Sequence, residues 1–336
     1  MLDVRTIDYH TGGEPFRIVT VGVPDIPGAT VRERRTYAQT HEEVDVVRRL
    51  LCHEPRGHAD MYGCFLVPPD DEGAHLGVLF WHKDGYSTAC GHGTIALGAW
   101  AVSSGLVAAA PDGATDVVID VPSGRVVARV SCSGGAVVSV TFRNVPSYVV
   151  ARGVQVRTTR GEVDVDVAYG GANYASLAAS AVGLSVRAED YVELIAIGRE
   201  VKWALDATDV ARHRDDDRLS GIYGTILHDD LGDLPGGPHQ RNVTVFADGE
   251  VDRSPCGSGT SARLALLAEQ GRIGPGQVLT HDSIVGSRFT ARIAERVHVG
   301  ELAGIVPEVT GTAHRTGEHH FTLDLDDALG TGFVLR

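Results

Sequence analysis

Two cysteines stand at the same place in two copies of one short pattern. Tyr86-Ser87-Thr88-Ala89-Cys90-Gly91-His92-Gly93-Thr94-Ile95-Ala96-Leu97 and Asp252-Arg253-Ser254-Pro255-Cys256-Gly257-Ser258-Gly259-Thr260-Ser261-Ala262 share Cys-Gly-x-Gly-Thr-x-Ala, and each runs into an apolar, Ala-rich stretch. A cysteine just before a glycine-rich helix start sits where unsatisfied backbone N–H groups and the positive end of the helix dipole converge. Both effects favour the thiolate and are expected to lower the thiol pKa from about 8.5 towards neutrality, giving a usable base near pH 7. The N–H groups around Gly91, Gly93, Gly257 and Gly259 also form a cradle for an anion, a carboxylate above all. If the two loops face each other, one thiolate and one thiol flank that anion. A proton can then be removed from one face of a carbon and delivered to the other, while the N–H groups stabilise the enediolate. His92 and Asp252, beside the thiols, are candidates to hold a substrate ammonium or to assist proton transfer.

Competing patterns are weaker. Cys52, Cys64 and Cys132 lack such a context and read as small core hydrophobes. The five cysteines are scattered, odd in number and without Cys-x-x-Cys spacing, so neither a disulfide framework nor a zinc site is expected. Gly91-x-Gly93-x-x-Ala96 and Gly257-x-Gly259-x-x-Ala262 match a dinucleotide fingerprint in letters only, because no apolar strand feeds directly into the first glycine. His314 and the pair His319-His320 have no fixed ligand spacing, and no metal is expected. The net charge of -14 argues against a nucleic-acid partner, which is bound through Lys/Arg clusters. A small-molecule substrate is the expected partner. The amino-terminal residues lack a basic and apolar leader, and the apolar helices are too short to span a bilayer. A cytoplasmic chain with reduced thiols is expected, as a monomer or homodimer.

The elements that must position the two loops read as a repeated set. Strands are expected over Phe16–Val23, Cys64–Val67 and Leu76–Trp81, an amphipathic helix over His41–Leu51 with apolar residues at 44, 47, 50 and 51, and a buried helix over Ile95–Val102. Short β runs follow at Val117–Val121, Arg125–Val130 and Ala136–Phe142. The second half opens with a strand Val163–Ala168, a helix around Ala188–Leu205, strands Gly221–His228 and Asn242–Ala247, and a buried helix through Leu264–Ala268. The segments 215–217 and 232–238 read as solvated loops. With 336 residues, two domains are expected: a first lobe 1–148 carrying Cys90, a second lobe 149–320 carrying Cys256, and a closing strand in 321–336 that returns to the first.

The sequence resembles the proline racemase family, which includes proline racemases, 4-hydroxyproline 2-epimerases and trans-3-hydroxy-L-proline dehydratases. The marks are Asp8-Tyr9-His10-Thr11-Gly12-Gly13-Glu14-Pro15, Glu54-Pro55-Arg56-Gly57-His58, Cys90-Gly91-His92-Gly93, Ala168-Tyr169-Gly170-Gly171 and Val251-Asp252-Arg253-Ser254-Pro255-Cys256-Gly257. The resemblance implies an α+β, diaminopimelate epimerase-like fold: two pseudo-symmetric lobes, each curling β strands around a central helix, with the site between them and no cofactor. It implies that Cys90 and Cys256 are the paired bases and that His92 and Asp252 meet the substrate nitrogen. Gly91, Gly257 and Ser258 would bind the carboxylate, and Tyr62 and Phe246 would cover the pyrrolidine ring. Within the family, cysteine at the position of Cys256 accompanies two-base inversion of Cα, and threonine accompanies dehydration. The background of Arg56–Gly63, Tyr223–Leu227 and Ser258 looks more like the dehydratase branch. The expected activity is racemisation or epimerisation of proline or a hydroxyproline, with 3-hydroxyproline dehydration as the alternative. A non-catalytic imino-acid binder is the alternative from another class.

Overall fold

The computed structural model describes residues 3–324 and 326–335; Met1 and Leu2 of the amino-terminal stretch, with Leu325 and Arg336, lie outside them. Its elements run β1 (Asp3–Thr11), β2 (Glu14–Val21), α1 (Val31–Ala38), α2 (Glu42–Cys52), β3 (Gly63–Val67), β4 (Leu76–His82), β5 (Gly85–Tyr86), α3 (Gly91–Ser103), β6 (Gly113–Val121), β7 (Gly124–Ser133) and β8 (Ala136–Arg143). They continue β9 (Ser147–Thr158), β10 (Gly161–Tyr169), β11 (Asn173–Ala178), α4 (Tyr191–Asp206), β12 (Ile222–Leu234), β13 (Gly237–Phe246) and β14 (Glu250–Asp252). The last are α5 (Gly257–Glu269), β15 (Leu279–Ser283), β16 (Arg288–Val299), β17 (Leu302–Gly311) and β18 (Ala313–Thr322).

Contacts divide the chain into two compact units. One comprises Met1–Ala89, Gly93–Val140 and Thr312–Arg336; the other comprises Cys90–His92 and Thr141–Gly311. In the first, β18 pairs antiparallel with β1, β1 antiparallel with β2, β2 parallel with β3, β3 antiparallel with β4, β4 parallel with β6, and β6 antiparallel with β7. In the second, β9, β10 and β11 are successively antiparallel, β11–β12 is parallel, β12–β13 antiparallel, β13–β15 parallel and β15–β16 antiparallel. The succession of parallel and antiparallel pairings is the same in both, so the repeat at the cysteines extends through whole lobes. In the second unit β16 pairs with β17, and β17 pairs back onto β9. That closes the sheet upon itself, with α5 buried from Gly257 through Leu267. A helix buried on nearly every face, its small polar residues and Arg263 included, belongs in the middle of such a sheet.

Local chemistry explains most element ends. Gly12 and Gly13 both have positive φ, 59° and 95°, which the two-residue turn of the β1–β2 hairpin requires. The helix α1 has no counterpart among the sequence expectations. Its start was nonetheless written in Thr30, whose hydroxyl accepts from the Glu33 N–H, an N-cap with the acidic residue three positions on. Segment 232–238, expected as a solvated loop, is instead the tip of the long β12–β13 hairpin, with Asp233 opposite Pro238 and Leu234 opposite Gly237. Ladder hydrogen bonds and the Pro235-Gly236 turn sustain strand geometry there although residues 232–236 are exposed, so the polar composition misled. The helix expected from Ala188 begins at Tyr191, after a short 3-10 turn.

The first unit is tied together by a buried cation. Arg17 on β2 forms hydrogen bonds with Asp8 on β1 at 2.8 and 3.0 Å, and also donates to the carbonyls of Leu51 at 2.7 Å and Arg56 at 2.9 Å. The hairpin, the end of α2 and the Glu54–Gly57 turn thereby share one guanidinium. Removing the carboxylate leaves that charge buried and half paired, so Asp8→Leu should destabilise the protein by about 3–5 kcal/mol, measured as a lower urea midpoint. A midpoint equal to the wild type would show that the carbonyls alone suffice.

Candidate active site

Cys256 is built into a tight turn between β14 and α5. Val251 on β14 pairs with Val245 on β13, which fixes the strand end. The Asp252 carboxylate then accepts the Ser254 N–H at 2.8 Å, and the Ser254 hydroxyl accepts the Cys256 N–H at 3.0 Å. Cys256 itself has φ 61° and ψ 99° and serves as the N-cap of α5. Such a backbone costs a non-glycine residue about 1–3 kcal/mol and persists only where its surroundings over-determine it. Its Sγ accepts the Gly259 N–H at 3.4 Å and lies 3.9 Å from the Tyr174 hydroxyl.

The first cysteine loop meets the second within the same unit. A Cβ at Gly91 would lie 2.5 Å from the Gly257 Cα, and one at Gly257 would lie 2.7 Å from the Gly91 Cα. Both contacts are with backbone, so neither residue can carry a side chain. Gly170, in the turn after β10, is held against α5 in the same way: a Cβ there would meet the Ser258 carbonyl at 2.3 Å. His92 places Nδ1 3.5 Å from Asp252 Oδ2, and its ring nitrogens lie 3.4 and 3.5 Å from Cys90 Sγ. Thiol, imidazole and carboxylate thus form a buried series that joins the two loops. The Ser258 hydroxyl is buried beside them with no hydrogen-bond partner among the described residues, a donor left for a ligand oxygen.

The electrostatics differ from the expectation at Cys256. Burial pushes its thiol well above the usual range, and the nearby Asp252 charge pushes it further; the hydrogen bonds from Gly259, Thr244 and Tyr174 favour the thiolate but are outweighed. The helix end therefore does not bring this thiol towards neutrality, because desolvation in a closed core exceeds the help of one N–H. Asp252 goes the other way. Burial pulls its carboxyl up, but the His92 charge and hydrogen bond, with those from Ser254, hold it below the usual carboxylate value. At neutral pH the site holds a protonated Cys256 beside an ionised Asp252.

Of the residues expected from sequence, Cys90, Gly91, His92, Asp252, Cys256, Gly257 and Ser258 come together in the second unit. Phe246 reaches them through an aromatic series that sequence reasoning missed: it stacks on Tyr223 at 5.6 Å, and Tyr223 meets the edge of Tyr174 at 5.7 Å. Tyr174 is fully buried and its hydroxyl is kept protonated by burial and by the neighbouring Cys256 and Tyr223. Only its place just after the Gly170-Gly171 turn could have marked it. Tyr62 lies in the first unit, buried against Phe16 and His82 with its hydroxyl on Ser87. No helix of the described residues is long and apolar enough to cross a membrane.

Comparisons with known proteins identify the family. Residues 6–334 match the family model described as proline racemase. A trans-3-hydroxy-L-proline dehydratase of Bacillus cereus is 41% identical over 98% of this chain and 97% of its own length. A 3-hydroxyproline 2-epimerase of Burkholderia multivorans is 43% identical over 99% and 98%. A crystal structure of a hydroxyproline epimerase from Agrobacterium vitis, with bound trans-4-OH-L-proline, superposes with a TM-score of 0.91 at 31% identity, covering 99% of this chain and 96% of that one.

The raised Cys256 thiol gives a direct test. In a Cys90→Ser protein, iodoacetamide alkylation of Cys256, followed by peptide mass spectrometry, should reach its half-maximal rate at a pH well above the ~8.5 of free cysteine. Adding Asp252→Asn removes the charge that opposes the thiolate, and the midpoint should fall. An unchanged midpoint would mean that Asp252 does not act on the thiol.

Proposed function

Because the chain belongs to the proline racemase family, we propose that it is a cofactor-independent racemase or epimerase that inverts Cα of proline or a hydroxyproline through Cys90 and Cys256. The observation that carries this reading is that a second cysteine, at position 256, stands at the head of a buried helix whose first residue lies against the Cys90 loop, where burial raises its thiol pKa. Inversion needs a proton donor as well as an acceptor, and a thiol held protonated is the donor.

The placement of the groups supports the following steps. The substrate carboxylate is bound by the N–H groups at Gly91 and Gly257 and by the Ser258 hydroxyl, which gain strength as the enediolate develops. The ring ammonium is held at His92 and Asp252. Cys90, in contact with His92, takes the Cα proton as thiolate, and Cys256 delivers its own to the other face. Cys90 then carries the thiol and Cys256 the thiolate, and the opposite enantiomer reacts with the roles exchanged. A substrate ammonium at Asp252 offsets the charge that otherwise disfavours the Cys256 thiolate, so binding itself eases the exchange.

A second reading is favoured by relatives named trans-3-hydroxy-L-proline dehydratase. In it, Cys90 alone removes the Cα proton, and the 3-hydroxyl leaves as water. Incubation in D2O with L-proline, trans-4-hydroxy-L-proline and trans-3-hydroxy-L-proline separates the readings. Inversion with deuterium at Cα is expected. A borohydride-reducible Δ1-pyrroline-2-carboxylate without inversion would instead establish the dehydratase, and neither product would leave an imino-acid binder. In the Cys256→Ser protein inversion should be abolished while one-sided exchange through Cys90 persists; full inversion there would end the two-base assignment.

A further inference from the structure

The left-handed backbone of Cys256 and the direction of the Pro255 carbonyl are two ends of one peptide plane. Flipping that plane would relieve the strain at Cys256, break the bond from its N–H to the Ser254 hydroxyl and shift the seat of its thiol on the Gly259 N–H. What opposes the flip is a set of buried hydrogen bonds. The Pro255 carbonyl accepts the Thr260 hydroxyl at 3.0 Å and the Asn242 side-chain amide at 3.1 Å, which occupies both lone pairs. The Cys256 carbonyl, one peptide on, accepts the Thr260 N–H at 2.6 Å. Thr260 therefore reads the peptides on both sides of the cysteine, one with its side chain and one with its backbone.

The hydroxyl has one proton, given to Pro255, so its second contact must be as acceptor. That contact is His281 Nδ1 at 2.8 Å, which assigns the Nδ1–H tautomer to His281. The ring is fully buried on β15, and burial, with Arg263 close by, lowers its pKa to about 3, so it is neutral and towards Thr260 it donates through Nδ1. Neither residue belongs to the substrate contacts assigned above.

We propose that Thr260, oriented by His281, is the positioning residue that locks the Pro255–Cys256 peptide and so aims the Cys256 thiol. The inference rests on Cys256 handling a proton in the reaction, but the lock itself is testable without substrate. Net hydrogen-bond energies of about 1 kcal/mol are comparable with the cost of the left-handed backbone, so one lost bond shifts the balance of the two peptide orientations.

The test compares Thr260→Val, which keeps shape and removes the hydroxyl, with Thr260→Ser, which keeps the hydroxyl, and with His281→Asn, which keeps an N–H near Nδ1. Iodoacetamide alkylation is followed separately at Cys256 and Cys90 in the full chain. In Thr260→Val the Cys256 rate should fall about tenfold relative to Cys90, and Thr260→Ser and His281→Asn should stay within about threefold of wild type. With a substrate that the wild type inverts, Thr260→Val should lose inversion in the same proportion while one-sided Cα exchange through Cys90 and KM are held. Equal slowing at both cysteines, wild-type alkylation of Cys256 in Thr260→Val, or no rescue by Thr260→Ser would overturn the proposal. If Thr260→Val does not fold, His281→Leu, which removes the donor and leaves Thr260 in place, carries the same expectation against His281→Asn. A wild type that inverts nothing, with the alkylation pattern intact, would count against the racemase reading alone.

Discussion

The arrangement depends on bare backbone at one point: Gly91 and Gly257 approach so closely that neither tolerates a Cβ. Each precedes or opens a helix start, where unpaired N–H groups and the positive dipole end are concentrated. Two such ends brought together repel each other, and the repulsion is relieved by an anion lying against both. In the proposed reaction the substrate carboxylate is that anion. Gly170 extends the same constraint to the next turn, pressing its backbone on Ser258 and Ala262. The glycines thus do more than permit turns; they remove the side chains that would keep the two cysteine loops apart.

From that contact the rest of the site follows. Once the loops meet, His92 falls between Cys90 and Asp252, and the two thiols acquire different surroundings. Cys90 has an imidazole neighbour, whereas Cys256 is enclosed by Tyr174, Thr244 and the first turn of α5 beside a carboxylate. The pseudo-symmetry of the fold is therefore broken in the chemistry. In the proposed reaction one thiol gives a proton and the other takes it, although both arise from the same seven-letter pattern.

Burial explains why motif reasoning got one property of Cys256 backwards. A helix start favours a thiolate wherever water still reaches the sulfur, and sequence shows the helix start but not the loss of water. In this core the desolvation of the charged form dominates. The same closure strengthens the hydrogen bonds that hold the left-handed turn, because Pro255, Thr260 and His281 have no competing solvent.

The sequence by itself determined the features whose cause is local. The paired Cys-Gly-x-Gly-Thr-x-Ala segments, the amphipathic α2 and the apolar helices after each cysteine are all set by residues within a few positions of one another. So was the family, through motifs spread along nearly the whole chain. Tertiary structure alone decided that Cys90–His92 group with the second unit, that Tyr174 and Tyr223 join Phe246 near Cys256, that 232–238 is a hairpin tip, and that His281 supports Thr260 from another strand. Each of these depends on contacts between residues far apart in the chain, and on the exclusion of water those contacts produce. Neither is encoded in the spacing of any single motif.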